Sequence, residues 1–119
     1  MIQIIGKGGF GREVATYVHN GEWQAYENEC AGMNHAIGTV VAIGNPAARK
    51  AVVEKFNRLN YGMVLAGQLG NGNTIGVGCI ICPGTILTVN VVLGKHVIIN
   101  LNCTIGHDCI IGDYVTVSP

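Results

Sequence analysis

"IGVGCIICPGTILTVNVVLGKHVIINLNCTIGHDCIIGDYVTVSP", residues 75–119, decides the fold. Aliphatic residues fall six apart without a break: Ile75, Ile81, Leu87, Leu93, Ile99, Ile105, Ile111 and Val117. Four residues after each of the first seven stands a small or β-branched one: Cys79, Thr85, Val91, Val97, Cys103, Cys109 and Val115. Glycine follows the aliphatic position at 76, 94, 106 and 112. Eight consecutive matches at one spacing mark an internal repeat.

A period of six is neither helical nor a plain strand alternation. It suits a solenoid of short straight sides separated by corners. The aliphatic residue points inward, the small residue turns the chain toward the next side, and glycine and asparagine tolerate the corner dihedrals. Three sides make an 18-residue coil. That predicts residue 75 stacked with 93 and 111, 81 with 99 and 117, and 87 with 105.

Upstream the rhythm differs. "IQII" (2–5) reads as a buried strand, "GKGGFG" (6–11) as a glycine turn, and "REVATYVHN" (12–20) as a helix. "TVVAIGN" (39–45) reads as a second strand. "PAARKAVVEKFNRL" (46–59) reads as a helix opened by proline, with Ala47, Ala51, Val52 and Phe56 on one face. "MVLA" (63–66) is a candidate third strand. Strand–helix alternation implies parallel pairing. The segment 22–38 has no clear period and is expected to hold an irregular connection or a short strand.

Composition narrows the partners. The formal net charge is zero and 12% of residues are charged, so there is no basic field for nucleic acid or an anionic membrane. No apolar run reaches membrane-spanning length. The chain shows no secretion signal, and its five cysteines are an odd number, which fits reduced thiols in the cytoplasm. Cys79 and Cys82 form a C-x-x-C, half of a zinc or redox pattern. The six-residue repeat already accounts for both positions, so no metal site is expected.

Three stretches, "IIGKGGFGREVA", "AIGNPAARKAVVEKF" and the hexads of 80–119, resemble in order the bacterial sialic acid and amino-sugar O- and N-acetyltransferases of the hexapeptide-repeat class. The resemblance spans about two-thirds of the chain, and its specificity lies in residues 75–119. It implies an α/β Rossmann-like sugar-binding subdomain (1–66) followed by a short left-handed parallel β-helix (67–119). It implies acetyl-CoA as donor, a sugar or nucleotide-sugar as acceptor, and a trimer; an uncapped solenoid coil by itself leads to the expectation of a homo-oligomer, by trimer packing or by coils stacked end to end. Relatives run on for several coils beyond the position of Pro119, so the expectation is a truncated chain with an incomplete acetyl-CoA groove. The alternative reading is a non-catalytic relative that keeps the fold as a sugar-binding or self-assembling module.

The resemblance also names residues. In "GHD" it makes His107 the general base and Asp108 the carboxylate that orients it. The chemistry suits the residue types. Acetyl transfer needs a base that is neutral near pH 7, and a neighbouring carboxylate favours the imidazolium formed when the proton is taken. Without the resemblance, the pair reads as a solvated polar corner. Asn100 and Asn102 are candidate donors to a developing oxyanion. Gly6, Gly8, Gly9 and Gly11 lie in a G-x-G-x-x-G turn between strand and helix, a context for anion binding. Glu27 and Glu29 stand near the distance of a ribose-reading acid but follow no apolar strand. "GNP" (44–46) reads as a helix start, with Asn45 as N-cap. His96 is expected at a corner or subunit contact, His19 at a helix end, and His35 has no assigned role.

Overall fold

The computed structural model describes residues 2–18, 23–26 (backbone only) and 37–119. Its N-terminal unit is a three-stranded parallel sheet of β1 (Ile2–Ile5), β2 (Trp23–Tyr26) and β3 (Thr39–Val41), in the order β2-β1-β3. The expected short strand within 22–38 is β2. His19, Glu27, Glu29, Cys30 and His35 lie outside the described residues.

Side chains alternate across the sheet, so a run such as "IQII" can feed two cores. Ile4 and Val40 share one core with Val14 and Ala15 of α1 (Gly9–Tyr17). Ile5 and Val41 share the other with Val52, Val53, Phe56 and Leu59, on and just beyond α2 (Pro46–Lys55). The start of α2 is as expected: Pro46 opens it, and the Asn45 side chain accepts from the Ala48 amide at 2.9 Å.

The buried stripe of α2 is rotated from the expected one. Arg49, Val52, Val53 and Phe56 face inward, while Ala47 and Ala51 are exposed. The observed set keeps the i, i+3, i+4, i+7 spacing of one helix face. The expected face, with Ala47 and Ala51 beside Val52 and Phe56, omits Arg49 and Val53.

The "MVLA" stretch also lies elsewhere. Val64 and Leu65 form β4 (Val64–Leu65), which pairs with β7 (Ile80–Ile81) in the solenoid. The remaining rungs are β5 (Gln68–Leu69), β6 (Thr74–Ile75), β8 (Ile86–Leu87), β9 (Val92–Leu93), β10 (Ile98–Ile99), β11 (Thr104–Ile105), β12 (Ile110–Ile111) and β13 (Thr116–Val117). They build three parallel sheets, β13-β10-β7-β4, β11-β8-β5 and β12-β9-β6. The result is a parallel β-solenoid of about three turns.

The predicted stacking holds. Ile81 aligns with Ile99 and Val117, Leu87 with Ile105, and Leu93 with Ile75 and Ile111. Leu69 aligns with Leu87, one period before Ile75. Leu65 aligns with Ile81 only sixteen residues on, so the strict count of six misses the first rung. The interior holds Cys79, Ile81, Leu87, Val91, Leu93, Val97, Ile99 and Cys103, so both repeat positions face inward.

The corner conformation belongs to a third repeat position. Gly72, Gly78, Gly84, Asn90, His96, Asn102, Asp108 and Tyr114 all have positive φ, between 55° and 80°, again six residues apart. Glycine, Asn and Asp enter this region at low cost, which explains six of the eight. The glycines after the aliphatic residues are outside this set. At Gly76 a Cβ would strike the Gly94 carbonyl oxygen, so there glycine permits close coil stacking.

The outer face of the β13-β10-β7-β4 sheet packs on the N-terminal unit. Val64, Ile80, Cys82 and Ile98 join the core of Ile4, Val14, Ala15, Val40 and Ala42. The two units therefore share apolar surface rather than a flexible joint.

Candidate functional site

His107 and Asp108 form the turn between β11 and β12. Asp108 occupies the left-handed corner position, with φ 63°, and its amide donates to the Val89 carbonyl one coil below at 3.1 Å. That fixes the corner on the solenoid ladder. The His107 Nδ1–H donates to Asp108 Oδ2 at 2.9 Å, which leaves Nε2 as the free acceptor. Both side chains are open to solvent, at 79% and 68% exposure. The carboxylate thus orients the exposed imidazole ring.

Asn100 is not brought beside this pair. It opens the corner between β10 and β11, at the other end of the β11 rung from His107. Its side-chain oxygen accepts from the Leu101 amide at 2.8 Å, and its carbonyl accepts from Thr85 Oγ1. Asn102 holds the left-handed position of the same corner, its Oδ1 lying over Gly84.

The glycine turn divides into two pairs. Gly6 has φ 124°, and a Cβ there would sit 2.7 Å from the Ala42 carbonyl oxygen. A Cβ on Gly11 would strike the Gly6 carbonyl oxygen. Those two glycines are demanded by backbone packing. A Cβ on Gly8 would face open space and one on Gly9 would meet Arg12 Nη2 at an ordinary 3.9 Å, and Gly8 caps α1 without a side chain. The turns that follow β1 and β3 lie at the carboxyl ends of neighbouring parallel strands. The connections from them leave in opposite directions, which is the switch point where open α/β sheets hold ligands.

Cys79 and Cys82 face opposite sides of the solenoid wall. Cys79 packs in the interior and Cys82 against the N-terminal unit. Both thiols are pushed up by burial, Cys82 to about 12. They do not converge on a metal.

One cluster escaped the sequence reading. Arg49 is fully buried, and its guanidinium makes five hydrogen bonds. Nε donates to the His96 carbonyl at 2.9 Å. Nη1 donates to the carbonyls of Ile43 and Gly44 at 2.6 and 3.1 Å. Nη2 donates to the Tyr114 carbonyl and Thr116 Oγ1 at 2.7 and 2.9 Å. His96 lies at the corner beside it, as expected, but is buried within the chain at 3% exposure. Its ring meets Tyr61 edge-on at 4.7 Å and stacks on Tyr114 at 5.4 Å, and Nδ1 has no hydrogen-bond partner among the described residues. Burial, then the nearby Arg49 charge, lowers its pKa to about 4. The inward stripe of α2 was the available signal for Arg49.

An open groove of about 470 Å³ borders the β11-β8-β5 sheet, lined by Ala66, Gly67, Gln68, Gly84, Thr85 and Ile86. His107 follows β11 of the same sheet. No described helix is long and apolar enough to cross a membrane.

No protein-family model matches the chain, and no curated protein matches its sequence. Solved structures do match its fold. The acetyltransferase domain of PglB from Neisseria gonorrhoeae, in complex with acetyl coenzyme A, superposes with a TM-score of 0.83 at 22% identity, over 99% of this chain and 70% of that one. WeeI from Acinetobacter baumannii gives 0.76 at 25% identity, over 98% and 68%. PerB from Caulobacter crescentus, in complex with CoA and GDP-perosamine, gives 0.81 at 17% identity, over 97% and 67%. With coverage this complete, the chain has the fold of these acetyltransferase structures in both of its units, the small parallel α/β sheet and the β-solenoid set against it.

Proposed function

We propose that this chain transfers an acetyl group from acetyl-CoA to a hydroxyl or amine of a sugar or nucleotide-sugar, with His107 as general base. The observation that carries the reading is the His107–Asp108 pair, joined at 2.9 Å on a solenoid corner of a fold shared with structures that bind acetyl-CoA, or CoA and GDP-perosamine. Residues 1–66 serve as a shortened Rossmann-like unit for the sugar, around Gly6, Gly8, Gly9 and Gly11. Residues 67–119 serve as the left-handed β-helix that carries the base. Asn100, turned to its own corner, is the weakest of the named site residues. The buried free thiols Cys79, Cys82 and Cys103 suit a reducing cytoplasm.

The steps for this chain's residues follow from the pair. Asp108 holds the Nδ1–H of His107, so Nε2 accepts the proton of the hydroxyl or neutral amine as it attacks the acetyl carbon. The carboxylate stabilises the imidazolium until that proton passes on to the leaving sulfur. When bound, acetyl-CoA supplies an activated thioester. The groove beside the β11-β8-β5 sheet, floored by Ala66, Gly67 and Gly84, admits a slender chain such as its pantetheine arm.

Placement argues for an oligomer. The N-terminal unit covers the β13-β10-β7-β4 side, whereas His107 stands at the corner between the other two sides. A sugar held at the switch point of one chain faces away from that chain's own base. A second copy resolves this, and Ile86, Val92 and Ile110 leave apolar surface exposed on the two free sides. A homo-oligomer, of which a trimer is the expected form, would place crevice and base together.

The alternative reading is a non-catalytic relative. It keeps the fold as a sugar-binding or self-assembling module without transfer. Acetyl-CoA turnover with nucleotide amino-sugars and sialic acid decides between them. Transfer that falls about a hundredfold or more in His107→Ala supports the enzyme. Full activity in that variant removes the base, and calorimetry without acetyl-CoA binding favours the module.

A further inference from the structure

We infer that Arg49 is a positioning residue: it fixes the 43–45 turn to the solenoid at His96, Tyr114 and Thr116 and so sets where the sugar acceptor is presented. The second half of this statement rests on the proposed acetyl transfer; the first does not.

The geometry is unusual for a helix arginine. Arg49 sits in the first turn of α2, yet all five of its donors are used, on four carbonyls and one hydroxyl. Two of those carbonyls belong to the turn leaving β3, and the other three partners belong to the solenoid. Thr116 completes the bridge. Its Oγ1 accepts from Arg49 Nη2 and donates to the Gly44 carbonyl at 2.8 Å. The Gly44 carbonyl is therefore gripped twice, once directly and once through the solenoid.

This grip has a consequence for the other side of the turn. A trans peptide points its N–H opposite to its C=O. With the carbonyls of Ile43 and Gly44 turned onto Arg49, the amides of Gly44 and Asn45 point away from the guanidinium. They do so at the carboxyl end of β3, beside the turn that follows β1, at the switch point of the sheet. Arg49 thus sets both the orientation of this turn and its distance from the solenoid. A lysine cannot replace it, because a single ammonium lacks the planar fork that reaches three segments at once.

The test uses the full chain with Arg49→Lys, Arg49→Met and Thr116→Val. Hydrogen exchange is followed at the 43–45 and 114–117 segments, with the 86–93 rungs as internal reference. We expect both Arg49 variants to speed exchange at the two bridged segments together, by tenfold or more, with the reference unchanged. Thr116→Val acts in the same direction with a smaller effect, and it carries the test if Arg49→Met does not fold. With a nucleotide amino-sugar that the wild type turns over, Arg49→Lys raises the acceptor KM tenfold or more and leaves the acetyl-CoA KM within twofold. Wild-type exchange in Arg49→Lys, or faster exchange confined to α2, overturns the clamp. Equal loss for both substrates overturns the acceptor role. Absence of transfer by the wild type sinks the acetyltransferase reading instead, and the exchange measurements still decide the clamp.

Discussion

His96 should make the fold acid-sensitive, with a defined sign and size. It is 3% exposed, its Nδ1 has no partner among the described residues, and its pKa is lowered to about 4 from 6.5. The groups around it are Arg49 from α2, Tyr61 and Tyr114 against its ring, and Lys95 and Asp113 at its corner. Of the charged ones, Arg49 and Lys95 oppose protonation and Asp113 favours it. In the unfolded chain the ring protonates below pH 6.5, whereas in the folded chain it stays neutral until about pH 4. Between those values the unfolded state binds more protons, so stability rises with pH and is lost as pH falls. A difference of about 2.5 units corresponds to a limit of about 3 kcal/mol, most of it lost by pH 4.5. That is a large share of the ~5–15 kcal/mol that holds a typical domain folded.

The comparison variant is His96→Asn. Asparagine suits the left-handed corner, where His96 has φ 55°, and it does not titrate. Urea melts of both proteins from pH 7.5 to 4.5 give the stability difference at each pH. Losing the ring contacts shifts that difference by a constant. Every other titrating group is common to both chains and cancels. The stability of the wild type relative to the variant should fall by about 2–3 kcal/mol across the window. A flat difference would show that His96 is solvated and already titrating normally, and a difference of opposite slope would mean that protonation is favoured in the fold. Either result refutes the burial argument.

Gly78→Ala places a Cβ at φ +80° and onto the His96 ring, so it should cost about 2 kcal/mol or more, read from the urea midpoint. His107→Ala, at a side chain 79% exposed, should leave the thermal midpoint within the equivalent of about 0.5 kcal/mol even where it abolishes transfer. Among the described cysteines, thiol labelling of the native protein should modify the exposed Cys109 first. Cys79 and Cys82, buried and with raised pKa values, should react only on unfolding, and fast native labelling of either would contradict the packing.

The solenoid was legible because its interior depends on a period that side chains alone reveal. Eight aliphatic positions gave the 18-residue stacking before any coordinates. The first rung was not legible, because the sixteen-residue step from Leu65 to Ile81 breaks the count. The strand–helix order of the N-terminal unit was legible from apolar runs and from Asn45–Pro46. The burial of Arg49 was not. A charge inside a helix stripe has meaning only once its partners are known, and those lie up to 67 residues away. The same holds for His96, which reads as a surface corner until Tyr61 and Tyr114 close over it. His107 and Asp108 stood out as residue types. The bond between them, and the separation of Asn100 from them, came only with the coordinates.

The corner repeat explains why an exposed histidine can stand at 107 at all. Leu101, before Asn102, packs against the N-terminal unit, but at several other corners the residue before the left-handed position leans outward. Val89 before Asn90 and Lys95 before His96 are exposed, and so is His107 before Asp108. The backbone of each corner is fixed by amide bonds to the coil below, such as Asp108 to Val89 and Asn90 to Asn71. These side chains therefore vary without disturbing the ladder. Aspartate at 108 satisfies two demands at once: it tolerates the left-handed conformation, and its carboxylate turns back onto the preceding ring. The pair thus uses an ordinary repeat position, and its hydrogen bond arises through residue choice alone. The opposite corner shows the same economy used for structure. There His96 takes the left-handed position itself, is covered rather than exposed, and its carbonyl receives Arg49. Two histidines eleven residues apart differ in role because one precedes the left-handed residue and the other occupies its place.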